Sequence, residues 1–112
     1  MEKIALSKKR IVELTINDKE YIATLDNYTI LHFQMTTKKG FLDAISDLQG
    51  GDITIVSQLL ASLIRDKETG KIVGLDFINQ FDFMEVLEHL SPVIGELVDN
   101  NLPEAKDESE GK

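Results

Sequence analysis

Two histidines and no cysteine leave few residues able to serve as a base, a nucleophile or a soft metal ligand. Glu85 and His89 stand four apart, about one helical turn, with Glu88 beside them, which is the beginning of a metal-ligand set. One such pair lacks the third and fourth ligands that a bound zinc requires, and acids early in a helix are expected from its dipole alone. His32 has only Thr29 and Thr36 as hydroxyl partners at helical spacing, so a satisfied or exposed imidazole is expected there rather than a catalyst. The polar turn DKETGK, residues 66–71, brushes against two binding motifs. An EF-hand loop needs glycine at position six and glutamate at position twelve. Here Gly70 falls at position five and Phe77 at position twelve. A P-loop needs a glycine five residues before Gly-Lys and a Ser or Thr after it. Arg65 and Ile72 occupy those places. No nucleophile is paired with a base by spacing. The residues therefore predict no enzyme, with no catalytic, cofactor-binding or metal-binding positions.

Those residues hang on elements organised around residues 52–66, DITIVSQLLASLIRD. Ile53, Val56, Leu59, Leu60, Leu63 and Ile64 recur at helical spacing, and Ile55 and Ala61 widen the apolar face. A central core helix is expected, with Asp52 as its N-cap and Gly50-Gly51 separating it from what precedes. Upstream, residues 1–9 read as a loosely tied terminus. From Arg10 the period is two: Val12, Leu14 and Ile16 alternate with Ile11, Glu13 and Thr15, and Tyr21, Ala23 and Leu25 alternate with Ile22 and Thr24. The spacing predicts a hairpin over 11–16 and 20–25, with Asn17–Lys19 in the turn and Asn17-Asp18 supplying its chemistry. Asp26 or Asn27 caps the next helix, with Tyr28, Leu31 and Met35 along one side and Ile30 and Phe33 extending the apolar surface. Gly40 is read as the residue ending that helix after the basic Lys38-Lys39. A short helix over 41–48 turns Phe41, Leu42, Ile45 and Leu48 inward.

After the central helix, Ile72 and Val73 re-enter the core and Gly74 breaks the chain. Asp76 caps a short helix carrying Phe77, Ile78 and Phe81, and Asp82 caps the last long helix, with Phe83, Leu87, Leu90, Ile94 and Leu97 as its stripe. Pro92 inside that pattern predicts a kink near Ser91, or two helices abutting there. The expected fold class is α+β, mostly α-helical, with an N-terminal β-hairpin (11–25) packed on about five helices (27–102). A single globular domain is expected over 1–103, followed by a disordered acidic tail over 104–112.

The net charge is −8, with 42% hydrophobic and 29% charged residues. That balance argues against nucleic-acid binding, which needs a basic surface. Residues 1–40 carry seven Lys/Arg and five acids, while residues 41–112 carry five against fifteen. Between Ile72 and Ala105 there is no Lys or Arg. Two oppositely charged regions can attract each other, so a second copy of the chain is an expected partner. Apolar runs fall far short of the ~20 residues that span a bilayer, and Ile4-Ala5-Leu6 is too short for a signal segment, so no membrane association and a cytosolic setting are expected. Phe77, Phe81, Phe83 and Met84 crowd into eight residues, and one helix face cannot hide them all. Either a junction of two helices buries them, or they form an apolar docking surface. Phe81, Met84 and Val86 lie off the 83-87-90-94-97 stripe among acidic neighbours. Phe77, Phe81, Met84 and Val86 are therefore the candidate partner-binding residues.

The order of these pieces resembles a known family. ELTINDKEYIATLD leads into a helix with Tyr28, Leu31 and Phe33, followed by GFLDAISDLQG, LLASLIRD and LDFINQFDFMEVLEHLSPVIGELVDNNLP. Over about residues 12–103 the chain is similar to the tail assembly chaperones of long-tailed phages and prophages of Gram-positive bacteria. The likeness rests on element order, length and apolar spacing, with no catalytic signature to carry over. It implies a non-catalytic factor in the host bacterial cytoplasm, absent from the mature virion. Such a factor coats the tape measure protein, keeps it soluble and brings tail tube subunits to it. It also implies a longer frameshifted form in many members. Charge alone suggests a different class: a small acidic phage-encoded inhibitor that mimics DNA and binds a host protein.

Overall fold

The computed structural model describes residues 2–101, so the acidic tail expected over 104–112 lies outside the described residues. Strands β1 (Ile11–Ile16) and β2 (Lys19–Thr24) pair antiparallel, with Ile16 opposite Lys19 and Ile11 opposite Thr24. Asn17 and Asp18 make the two-residue turn, both at positive φ (50° and 70°). Two such residues form a type I′ turn, whose twist matches that of the strands it joins. The second strand starts one residue earlier than the spacing suggests, because the turn needs only these two positions.

The helices are α1 (Asn27–Thr37), α2 (Phe41–Gln49), α3 (Ile55–Leu63), α4 (Gly74–Asn79) and α5 (Phe83–Asn101). An antiparallel three-stranded sheet with five helices among the described residues is the α+β fold that the spacing implies. Helix α3 lies at the centre and packs on α1, α2, α4 and α5. Its Val56, Leu59, Leu60 and Leu63 are buried with Phe33, Ile64, Ile78 and Leu97 in one apolar core.

The central helix differs from its expected span at both ends. Ile64, the sixth residue of its apolar pattern, leaves the helix with extended backbone (φ −91°, ψ 136°). It opens a third strand, β3 (Ile64–Asp66), which pairs with β2 in the order β1-β2-β3. Ala23 faces Ile64 and Tyr21 faces Asp66. Ile64 keeps its core position while changing conformation, because a buried strand and a buried helix accept the same side chain. At the other end, Asp52 is not the cap. Its Oδ1 accepts from the N–H and hydroxyl of Thr54, a local turn, and the first N–H groups of α3 go to the Asp52 and Ile53 carbonyls. Ile53 is exposed.

Other boundaries are corrected too. Helix α1 ends at Lys38, which takes the left-handed conformation (φ 62°) and donates its N–H to Gln34 O. Gly40 instead precedes α2 in an extended conformation. In α2, Leu42 is exposed while Ala44 joins Phe41 and Ile45 in the core. Helix α4 begins at Gly74, so Asp76 lies in its first turn rather than ahead of it. Asp82 does cap α5, accepting the Glu85 N–H at 3.1 Å. Helix α5 runs unbroken through Pro92. The Ser91 hydroxyl donates to the Leu87 carbonyl there, a bond back into the preceding turn.

Candidate docking surface

Two separate sets of side chains bear on binding: the cluster expected around residues 77–86, and the outer face of α1. In the first, Phe77 and Phe81 are half-buried and form a chain of rings with Tyr21 of β2. The Tyr21–Phe77 and Phe77–Phe81 centroids are 5.1 and 5.2 Å apart. Edge-on and tilted pairs at that distance are favourable beyond the area they bury. These rings therefore fasten α4 and the start of α5 to the sheet. Val86 is 3% exposed and belongs to the core, so it is not available to a partner in this fold. Its position off the 83-87-90-94-97 stripe does not expose it, because α5 is covered on two sides: Val86, Val93, Ile94, Leu97 and Val98 are all buried. Of the four residues predicted to bind a partner, Met84 alone is open to solvent, at 63%. Its neighbour Phe83 is also exposed, and Asp82, Glu85 and Glu88 surround them with negative charge only.

The second set is the apolar side that the spacing marks on α1. Tyr28, Leu31 and Met35 lie at i, i+3 and i+7 on α1 and are 54%, 57% and 70% exposed. The face that α1 buries is instead Thr29 and Phe33, with Ile30 and Thr37 half-buried. Phe33 meets Phe41 of α2 edge-on at 5.6 Å. Threonine can occupy the inner face because its hydroxyl is satisfied locally. Thr29 Oγ1 donates to Thr24 O at 3.0 Å, and Thr37 Oγ1 to Phe33 O at 2.7 Å. The sequence carried a signal for this: α1 is apolar on both sides, and a helix packed through one face must leave the other outside.

A polar lock holds that helix in place. Asp26 caps α1 through the Thr29 N–H (3.0 Å) and takes Arg65 of β3 at 2.5 Å and Lys9 at 3.0 Å. Arg65 also donates to Thr29 Oγ1 and lies 4.9 Å from the Tyr28 ring, while its buried Nε has no acceptor. Burial pushes the Asp26 carboxyl up. The bonds from Arg65, the Thr29 N–H and Lys9 outweigh this and hold it well below its ordinary 3.8. Tyr28 is thereby pinned by a cation at one end of the exposed stripe.

The residues first weighed for chemistry fall in two places, His32 on α1 and Glu85 with His89 on α5. His32 Nδ1 is 2.7 Å from the hydroxyl of Ser62, a residue on α3 that spacing along the chain could not have paired with it. Ser62 is 1% exposed, out of reach of a substrate, so the pair joins α1 to α3. Among the described residues no three His, Asp or Glu side chains converge as a metal site, and Glu85 and His89 line a surface groove instead. No helix among the described residues is long and apolar enough to cross a membrane. Compared with protein-family models, curated proteins and solved structures, the chain matches none.

Proposed function

We propose that this chain is a tail assembly chaperone, a non-catalytic factor that holds a phage tape measure protein soluble in the bacterial cytoplasm and brings tail tube subunits to it. The observation that carries the reading is the stripe Tyr28-Leu31-Met35. It is an exposed apolar helix face at i, i+3, i+7, held at its Tyr28 end by Arg65 and open along Leu31 and Met35, the pattern by which one helix lies against another. A tape measure protein is expected to be a long helix with apolar stripes uncovered until assembly. Such a client needs apolar surface to cover those stripes and like charge to keep the complex soluble. The α1 stripe supplies the first. The region from Ile72 to Ala105, with no Lys or Arg, supplies the second, and exposed Met84 adds apolar contact within it. The acidic-inhibitor reading uses that charge but leaves the α1 stripe without a role.

The test is co-expression with the longest helical tail protein encoded beside the gene. The reading requires the client to move from the pellet to the soluble fraction and to co-purify with this chain. It fails if solubility is unchanged and no complex forms.

A further inference from the structure

β1 is an edge strand whose outer side is open. In a two-residue hairpin the residues flanking the turn exchange both backbone bonds, so Ile16, Leu14 and Val12 bond to β2. The N–H and C=O groups of Ile11, Glu13 and Thr15 therefore point away from the sheet. Natural edges are usually blunted by lysine, proline or a bulge. IVELTI has no lysine or proline, and its six pairs run in unbroken register. Beside this edge is a groove of about 340 Å³ between β1 and α5, lined by Ile16, Phe81, Glu85, Val86, His89 and Leu90. Its floor is apolar and its one charged wall is acidic.

The same chain carries a segment of matching form. Residues 2–10 form no helix, strand or turn. Ile4 and Leu6 alternate with Lys3, Ala5 and Ser7 and are 74% and 88% exposed. Lys3 and Lys8 have no ion-pair partner among the described residues. This segment cannot easily serve its own edge. Lys9 is held by Asp26, Arg10 by Glu96, and the Arg10 carbonyl accepts from Thr24 Oγ1 at 2.7 Å. A reversal onto β1 would have to occur at the residues these contacts hold.

We propose that the open edge of β1 takes the leading segment of a second copy as an added strand, with Ile4 and Leu6 entering the groove against α5 and Lys8, on the same face, meeting Glu85 or Glu88. Main-chain bonds to Ile11, Glu13 and Thr15 give the contact its strength, and the alternating side chains give it register. Segment and groove are different surfaces, so the contact builds either a reciprocal dimer or a head-to-tail chain. The inference is independent of what the α1 stripe binds.

Sedimentation velocity of the full chain over a range of concentrations tests it, beside the double variant Ile4→Asp/Leu6→Asp. Both changes fall on exposed side chains, so thermal melts should coincide. The full chain is expected to self-associate, at least tenfold more weakly in 0.5 M salt than in 0.05 M, and the double variant to be at least tenfold weaker at either. A labelled peptide of residues 1–9 should bind the double variant, and Thr15→Pro, which blocks an outward N–H, should weaken that binding tenfold. If Thr15→Pro disturbs the hairpin, Glu85→Lys with Glu88→Lys reads the same contact through its charge. A full chain that stays monomeric overturns the proposal, as does association that the double variant leaves unchanged. Peptide binding to a chain that never self-associates shows the segment docking within its own copy and equally overturns it.

Discussion

The Arg65 guanidinium stands 2.5 Å from the Asp26 carboxylate, joining β3 to the cap of α1 across 39 residues of sequence. Both side chains are largely buried, at 9% and 18% exposure, so each depends on the other for its charge to be tolerated. Asp26→Ala removes the cap and leaves a buried cation unpaired. It should cost about 3–5 kcal/mol in urea unfolding. Replacing both residues with apolar ones, as in Asp26→Leu/Arg65→Met, should recover a large part of that loss.

The same pair sets a pH dependence. Because the folded-state pKa of Asp26 lies below the ordinary 3.8, its contribution is complete above that value and is lost as pH falls through the folded value. Melts between pH 5 and pH 2 should show the parent chain losing stability more steeply than Asp26→Asn, which has no proton to gain. Parallel curves would show the carboxylate to be unimportant.

Leu31→Ser and Met35→Ser change side chains that touch solvent. Each should stay within ~0.5 kcal/mol of the parent in stability. Under the proposed function, together they should lower affinity for helical tape measure fragments by tenfold or more, as read by fluorescence anisotropy. Unchanged affinity with an intact fold moves the client off α1.

Phe81→Ala and Met84→Ser should separate sharply. The first breaks the Tyr21-Phe77-Phe81 chain and should cost roughly 2–4 kcal/mol, short of the largest values because the ring is only half-buried. The second should leave the melting temperature almost unmoved, so that any loss of client binding is a surface effect.

Asp18→Gly should raise stability by about 0.5–1 kcal/mol. The position has φ 70°, which glycine adopts without the steric cost that a Cβ brings, and Asn-Gly is the favoured pair for this turn.

The hairpin was legible because its turn residues and its period of two are local signals, and for the same reason Asp82 was legible as a cap and Asp26 as one of two candidates. What escaped reading was decided at a distance. Ile64 continues the helical pattern of Val56, Leu60 and Leu63, and only its pairing with Ala23 makes it a strand. Arg65 and Asp66 read as the polar end of a helix, whereas Arg65 is the buried partner of Asp26. Tyr28, Leu31 and Met35 form a better apolar stripe than Thr29 and Phe33, and periodicity alone does not say which of the two faces is buried. The buried one succeeds because its hydroxyls find backbone acceptors. Val86 was misjudged in the opposite sense. Distance from the main stripe of α5 suggests exposure only if one side of that helix is covered, and two are.

Helix α3 passes into β3 with no loop, Leu63 ending one and Ile64 beginning the other. This orders events as the chain folds. The β1–β2 hairpin needs only neighbouring residues and can close within microseconds. Its third strand must wait, because Ala23 with Ile64 and Tyr21 with Asp66 are pairs 41 and 45 positions apart. Closing so long a loop is entropically costly until α3 has docked and carried Ile64 into place. Until then both edges of β2's hairpin are bare. The interval between hairpin closure and the seating of α3 is when a newly made chain is most exposed to pairing with the wrong strand.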